Sequence, residues 1–370
     1  MIRRRALLPA ARVTLLLAVP LLLVVVWSET VASKAGQHTA VNFLITLTLV
    51  LGLQAFSGNS GIVSFGHVGF MAVGAYVAAF LTMPQVIKNL SFAGLPHVLR
   101  HAELGLVASV AIAGLAAALV AALVGLVLTR MEEGAMAMAT IALLVMFYTV
   151  ANAAESWTRG ASGVFSVPQN VTIVVALVAA LLAVFVVRAY RESERGLELR
   201  ASRDDPVAAG ALGTDVKRRR LGAWILSGLV LGIGGALFAQ YNLAFDPSTF
   251  YFDETFSLLA VLVIGGPGTV SGAVLGAGIV TIATEILRPV ENGSGIGPIH
   301  FGAVPGLTPI VIALLILFIL RRRPAGLLGF ELDEILRMRR RRLGPPVAVA
   351  DPALTGGISS FPDDKESRRV

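Results

Sequence analysis

The chain has 370 residues, 56% of them hydrophobic and only 14% charged, with a mean hydropathy of +0.79. A soluble domain carries about 25% charged residues, so the composition excludes an ordinary soluble enzyme and points to a polytopic membrane protein. The net charge of +7 sits mostly in one loop and the C-terminal tail, where it reports topology rather than nucleic-acid binding. There is no cysteine, which rules out disulfides and thiolate metal ligands. The five histidines are spread along the chain, and no metal or other cofactor is expected.

A membrane span needs about 20 apolar residues. Such runs lie near 13–27, 40–56, 67–83, 104–128, 135–151, 171–187, 221–240, 254–264, 269–287 and 306–320. They predict an all-α helical bundle of about eight to ten transmembrane helices, some of them broken by glycine. Residues 1–12 carry Arg3, Arg4, Arg5 and Arg12 and are placed on the cytoplasmic side. The first run also has the basic start and short apolar stretch of a signal peptide, with Val31-Ala32-Ser33 as a poor cleavage site. Its extension to Trp27 favours a retained span.

Two spans meet at Ser57-Gly58-Asn59-Ser60-Gly61-Ile62-Val63-Ser64-Phe65-Gly66-His67. This segment is polar and glycine-rich but uncharged. Irregular backbone at membrane depth is tolerated where it lines a cavity or packs inside protein, and discontinuous helices often mark a transport path. Ser57, Asn59, Gly61, Ser64, Gly66 and His67 are therefore candidate path residues. The alternative is a tight turn between packed helices, with His67 hydrogen-bonded to a carbonyl.

The longest charged stretch follows the sixth span. Lys or Arg stands at 188, 191, 195, 200, 203 and 217–220, and no other loop between spans carries more than two. Residues 188–220 are thus predicted to be cytoplasmic, and alternation of the spans agrees. Within them, Asp204-Asp205-Pro206 is a helix start, Val207 to Leu212 a short helix, and Gly213-Thr214-Asp215 its stop. A short helix flanked by charge between two spans is a docking element; a solvated loop with snorkelling arginines is the alternative.

Further on, Gly265-Gly266-Pro267-Gly268 breaks an apolar run, adding Gly265 and Gly266 to the candidate path. Gly268, Gly272 and Gly276 then repeat at the spacing of a helix-packing face. Glu285 is expected to pair with Arg288 or to snorkel. No acid stands in mid-span, which argues against a proton-driven secondary transporter. Two G-x-S-G matches, around Ser60 and Ser162, leave an intramembrane serine protease using His67 as a remote alternative. No G-x-x-x-x-G-K-[ST] motif occurs, so any ATP hydrolysis belongs to another subunit. The tail from Glu331 is expected to form a short amphipathic helix to about Arg342 and then to be disordered. The domain layout is thus 1–12, a transmembrane domain over 13–330, and the tail over 331–370.

Five stretches together carry a family likeness: 57–78 (SGNSGIVSFGHVGFMAVGAYVA), 158–168 (TRGASGVFSVP), 200–216 (RASRDDPVAAGALGTDV), 234–244 (GGALFAQYNLA) and 261–278. With them the chain resembles the permease subunits of ABC importers for branched-chain amino acids, of the LivM type. The Ala208-Ala209 pair with Gly213 looks like the coupling loop that such permeases present to their ATPases, with Val207 in place of the usual Glu. Arg159 and Ser162 depart from the family pattern in an outer loop. The resemblance implies ATPase coupling through Arg200, Arg203, Asp205, Ala208, Ala209 and Gly213. It implies a second, LivH-like permease, two LivG/LivF-like ATP-binding subunits and an extracytoplasmic binding protein as partners, with this chain itself in a bacterial inner membrane and in contact with its lipid. Both termini would lie inside. Urea, amides and aromatic acids are carried by relatives and remain alternative substrates.

Overall fold

The computed structural model describes residues 4–92, 94–291, 293, 306–329 and 331. All of them belong to one compact unit. The expected tail helix and disorder, and the first residues of the N-terminal arm, lie outside the described residues.

Each predicted apolar run is realised as a helix. In chain order these are α1 (Arg4–Thr30), α2 (Lys34–Ser60), α3 (Val68–Thr82), α4 (Gln85–Ser91), α5 (His97–His101), α6 (Leu106–Leu128), α7 (Glu133–Ala153), α8 (Glu155–Thr158), α9 (Ile173–Glu192), α10 (Glu194–Ala201), α11 (Pro206–Ala211), α12 (Val216–Asn242), α13 (Phe252–Gly265), α14 (Val270–Glu291) and α15 (Leu307–Arg322). Among the described residues eight helical segments are long and apolar enough to cross a membrane, and α3 with α4 passes jointly but bends by 118° between them. The last predicted span is α15, 16 residues long. The chain is a multi-pass membrane protein of the all-α class. Its only extended pairing among the described residues is a single bridge, Val164 to Phe245.

Helix α12 is the centre of the bundle and packs on α2, α3 and α6. Small residues make this possible where no hydrophobic drive separates helix from lipid. A Cβ on Gly235 would lie 2.0 Å from the carbonyl of Met71, and one on Gly74 would lie 2.1 Å from that of Gly232. The α3 and α12 backbones therefore touch. Ser227 Oγ donates to the Gly52 carbonyl at 2.6 Å, tying α12 to α2. Near the other end, Gln240 Nε2 donates to Ser109 Oγ of α6 at 3.1 Å. By contrast α6 and α7 bury little of their apolar surface, as helices do when one side faces lipid. On α1, the stripe Val13, Leu17 and Leu21 is buried, and the helix packs on α9 and α2.

Three charged residues hold turns and ends of the bundle. Lys88, on the short helix α4 after α3, is fully buried. Its Nζ donates to the carbonyls of Phe80 at 3.0 Å and Leu99 at 3.1 Å, and also to that of Ala102, so it staples the bend after α3. Glu331, placed by sequence at the start of the polar tail, is likewise fully buried and belongs to the bundle. Asp246 caps the turn before α13, accepting from Thr249 N and Oγ1 and from Ser248 Oγ. Burial works against its charged form, but these hydrogen bonds prevail and hold the carboxyl below its ordinary range.

Candidate functional site

The two glycine-rich breaks lie side by side at one end of the bundle. Helix α2 ends at Ser60, and Gly61 adopts φ +77° with its N–H bonded to the Ser57 carbonyl. A Cβ on Gly58 would lie 2.3 Å from the carbonyl of Pro267, so the first break rests directly on the second. After Gly61 the chain runs without helix to His67. Gly66 abuts the Thr140 carbonyl of α7 at 2.7 Å from where its Cβ would stand. Thr140 Oγ1 also accepts from Phe65 N at 3.1 Å.

His67 is buried in an aromatic box. Its ring centroid lies 4.4 Å from Trp224, 5.3 Å from Phe56 and 5.7 Å from Phe70. Nδ1 pairs with Ser64 Oγ at 2.5 Å, a side-chain partner rather than the carbonyl that a simple turn would supply. His67 Nε2, Trp224 Nε1, Ser57 Oγ, Asn59 Oδ1 and the Gln54 amide are buried with no protein partner. Such a concentration is unusual where buried polar groups are normally paired. Ser60 is committed elsewhere: its Oγ donates to the Phe56 carbonyl at 2.9 Å and accepts from Ile62 N at 3.2 Å. That leaves His67 with Ser64 as its hydroxyl partner, contrary to the serine-protease alternative built on Ser60.

In the second break Gly265 packs on α14. Its Cβ would lie 2.0 Å from the Gly272 carbonyl and 3.1 Å from the Gly276 Cα, whereas Gly268 faces open space. The packing face is thus Gly272 and Gly276 without Gly268. Gly266 has φ +119° and is backed by residues 325–328. Leu327 N donates to the Ile264 carbonyl and Leu328 N to that of Gly265, at 3.1 and 3.0 Å.

The charged segment folds over the same end. Asp205 Oδ1 accepts from Val207 N at 2.8 Å and Ala208 N at 2.9 Å, with Pro206 in the first turn of α11. Gly213, at φ +90°, stops it. Ala209 faces inward, while Val207 and Leu212 are 80% and 88% exposed. Nothing lies within 4 Å of a Cβ on Gly210 or Gly213. The element therefore presents a small, partly apolar face. Its flanks are anchored: Arg200 donates to the Arg191 carbonyl at 3.1 Å, Arg219 pairs with Glu198, and Arg220 pairs with Glu133 of α7 at 2.5 Å. Arg203 lies across Gly61, with its Cγ and Nε each 2.8 Å from where a Cβ on that glycine would be. The expected coupling and path residues, separated by some 140 positions in sequence, thus meet at Arg203 and Gly61.

Sequence reading missed the pin that holds this end together. Glu331 receives Arg188 Nη1 at 2.7 Å and Arg191 Nε at 3.2 Å. The same carboxylate accepts from Val270 N at 2.8 Å and Ser271 Oγ at 2.8 Å, capping α14. Arg188 and Arg191 count in the sequence only as topological charge. Both are buried, and that a partner lies 140 residues away is invisible to local pattern. A second oversight is small: His97 and His101 form an i, i+4 pair on α5 with ring centroids 4.2 Å apart. Among the described residues no group of three potential ligands gathers there or elsewhere.

Residues 37–320 match the family described as branched-chain amino acid transport system / permease component. The chain is 26% identical over 316 residues to the high-affinity branched-chain amino acid transport system permease protein LivM of Escherichia coli (strain K12), covering 76% of the chain and 70% of that protein. Against the protein of the same description from Salmonella typhimurium it is 25% identical over 310 residues, covering 74% and 68%. Over 171 residues it is 28% identical to the probable branched-chain amino acid transport permease protein LivH of Methanocaldococcus jannaschii, covering 46% and 52%. No solved structure is similar to it at a significant level.

Proposed function

Since the chain belongs to the branched-chain amino acid transport permease family, we propose that it forms half of the translocation path of an ABC importer, coupled to separate ATPases through α11. Its substrate is a branched-chain or related amino acid. A second permease completes the path, two ATP-binding subunits dock on the cytoplasmic end, and an extracytoplasmic protein delivers the substrate. The complex sits in the bacterial inner membrane with both termini of this chain inside.

The observation that carries the coupling step is the contact of Arg203 with Gly61. Closure of the ATPases shifts α11, and the shift reaches the inner ends of α2 and α13 directly, because Arg203 rests on the first break and the first break rests on the second. Alternation then needs only a change at these inner ends. The partnerless Gln54 amide, Ser57 Oγ, Asn59 Oδ1 and His67 Nε2 become wall groups of a wetted passage when the ends part. Without fixed charge they hold a passing substrate weakly, which suits release.

Reconstitution tests the reading. The chain with its second permease and two ATPases, in proteoliposomes, is expected to take up leucine only with ATP inside and loaded binding protein outside. Uptake that persists without ATP, or that needs an ion gradient instead, refutes it.

A further inference from the structure

The same three helices that carry the breaks also form a polar groove at their opposite ends. It encloses about 180 Å³ between α2, α13 and α14. On α14, Thr281, Thr284, Glu285 and Arg288 recur at i, i+3, i+4 and i+7 and share one face; on α2, Thr39, Asn42 and Thr46 do the same. Two polar faces on membrane-spanning helices would be costly against lipid, so they meet each other at the outer ends of the spans. The faces are locked together: Thr39 Oγ1 donates to Glu285 Oε2 at 2.8 Å, and Arg288 Nη1 meets the same oxygen at 3.2 Å. Yet the side chains of Arg288 and Glu285 are still 49% and 38% exposed, so the ion pair remains open to a ligand.

Beside the groove lies a cleft of about 370 Å³. It shares Thr39, Phe43, Thr281 and Glu285 with the groove, and is otherwise walled by apolar groups such as Val24, Ala40, Ile282 and Ile286. A fixed anion, a fixed cation and an apolar cleft thus converge within one site.

We propose that this is where the substrate first lodges in the permease, and that its ligand is a zwitterionic amino acid with an aliphatic side chain. Glu285 receives the ammonium, Arg288 receives the carboxylate through its forked donors, and the cleft takes the side chain. The entering zwitterion exchanges the Glu285–Arg288 contact for two contacts of its own, so neither charge is left unpaired. Urea and simple amides carry no charge for either residue. The inference rests on the permease reading above and adds the residues that choose the substrate class.

The native chain has no cysteine, so Thr284→Cys gives a single label site in the groove. In the assembled transporter, a membrane-impermeant cationic thiol reagent added on the binding-protein side is expected to modify it. Leucine with its binding protein should slow that modification several-fold; leucinamide, which lacks the carboxylate, should not. Adding Glu285→Gln should abolish the leucine effect, and Glu285→Gln alone should lower leucine uptake about tenfold, the loss of one charge-assisted hydrogen bond, while complex yield is unchanged. A site that never reacts in the assembled complex overturns the proposal, because the groove is then an interface with another subunit. So does a site whose reactivity follows the lipid acyl chains and ignores leucine, or a Glu285→Gln variant that fails to assemble. Leucine uptake by the unaltered chain reports the permease reading separately: normal uptake with an unprotected groove defeats only this inference.

Discussion

Replacing Glu331 by alanine is expected to cost the protein a large share of its stability. The carboxylate is fully buried, and the two arginines it serves are buried with it. Its removal takes from Arg188 a contact of 2.7 Å and from Arg191 one of 3.2 Å. Arg188 keeps Glu192 at 3.2 Å, so most of the penalty falls on Arg191. Stripping one partner from a buried ion pair costs about 3–5 kcal/mol, and the lost cap on α14 adds about 1 kcal/mol. Thermal unfolding of the purified chain in nanodiscs, followed by helical circular dichroism, measures the loss. Glu331→Gln keeps the side-chain shape and an acceptor for Val270 N, and should fall between Glu331→Ala and the unaltered chain. Converting Arg188, Arg191 and Glu331 together to Met should recover much of the loss, since no unpaired charge remains. A Glu331→Ala protein that melts with the unaltered chain would refute the assignment of Glu331 as the pin.

Three other outcomes follow from the coupling end. Gly61→Leu places a side chain at φ +77°, costing about 1–2 kcal/mol, and displaces Arg203; uptake should collapse while the complex with the ATPases still purifies. Ala208→Arg, on the exposed face of α11, adds a clash worth about 1–3 kcal/mol in a close docking contact; ATP hydrolysis by the complex should become independent of substrate, with insertion unaffected. Single cysteines at Val207 and Leu90, both more than 75% exposed, should label from opposite sides of the membrane, Val207 from the cytoplasm. Lys88 would be a poor probe for this purpose because it is buried and bonded.

The ten apolar runs and their order were legible in the sequence because lipid demands a long apolar surface from every span. The start and stop of α11 were equally legible, since Asp205, Pro206 and Gly213 act on their immediate neighbours. What stayed hidden depends on distance. Nothing local distinguishes Arg188 and Arg191 from surface charges until Glu331 is seen between them. The groove was missed for a different reason. Thr39, Asn42, Thr281 and Thr284 are each unremarkable within an apolar run, and only their shared helical faces, read across two spans at once, make a polar wall. The spacing of Thr281, Thr284, Glu285 and Arg288 was the signal available for it.

The backbone contact between α3 and α12 has a mechanical consequence. Where Gly74 meets Gly232 and Met71 meets Gly235, no side chain lies between the two helices to change rotamer and absorb a displacement. Sliding one past the other would drive main chain into main chain, so the pair behaves as a beam. The contacts of α13 with α14, by comparison, end in a single residue, Gly266, and in the short bonded strap of four residues, 325–328. On the alternation proposed above, the beam is expected to be the stationary frame and the jointed helices to carry the stroke. A cross-link across the beam should therefore leave transport intact, and one from α13 to α2 should arrest it.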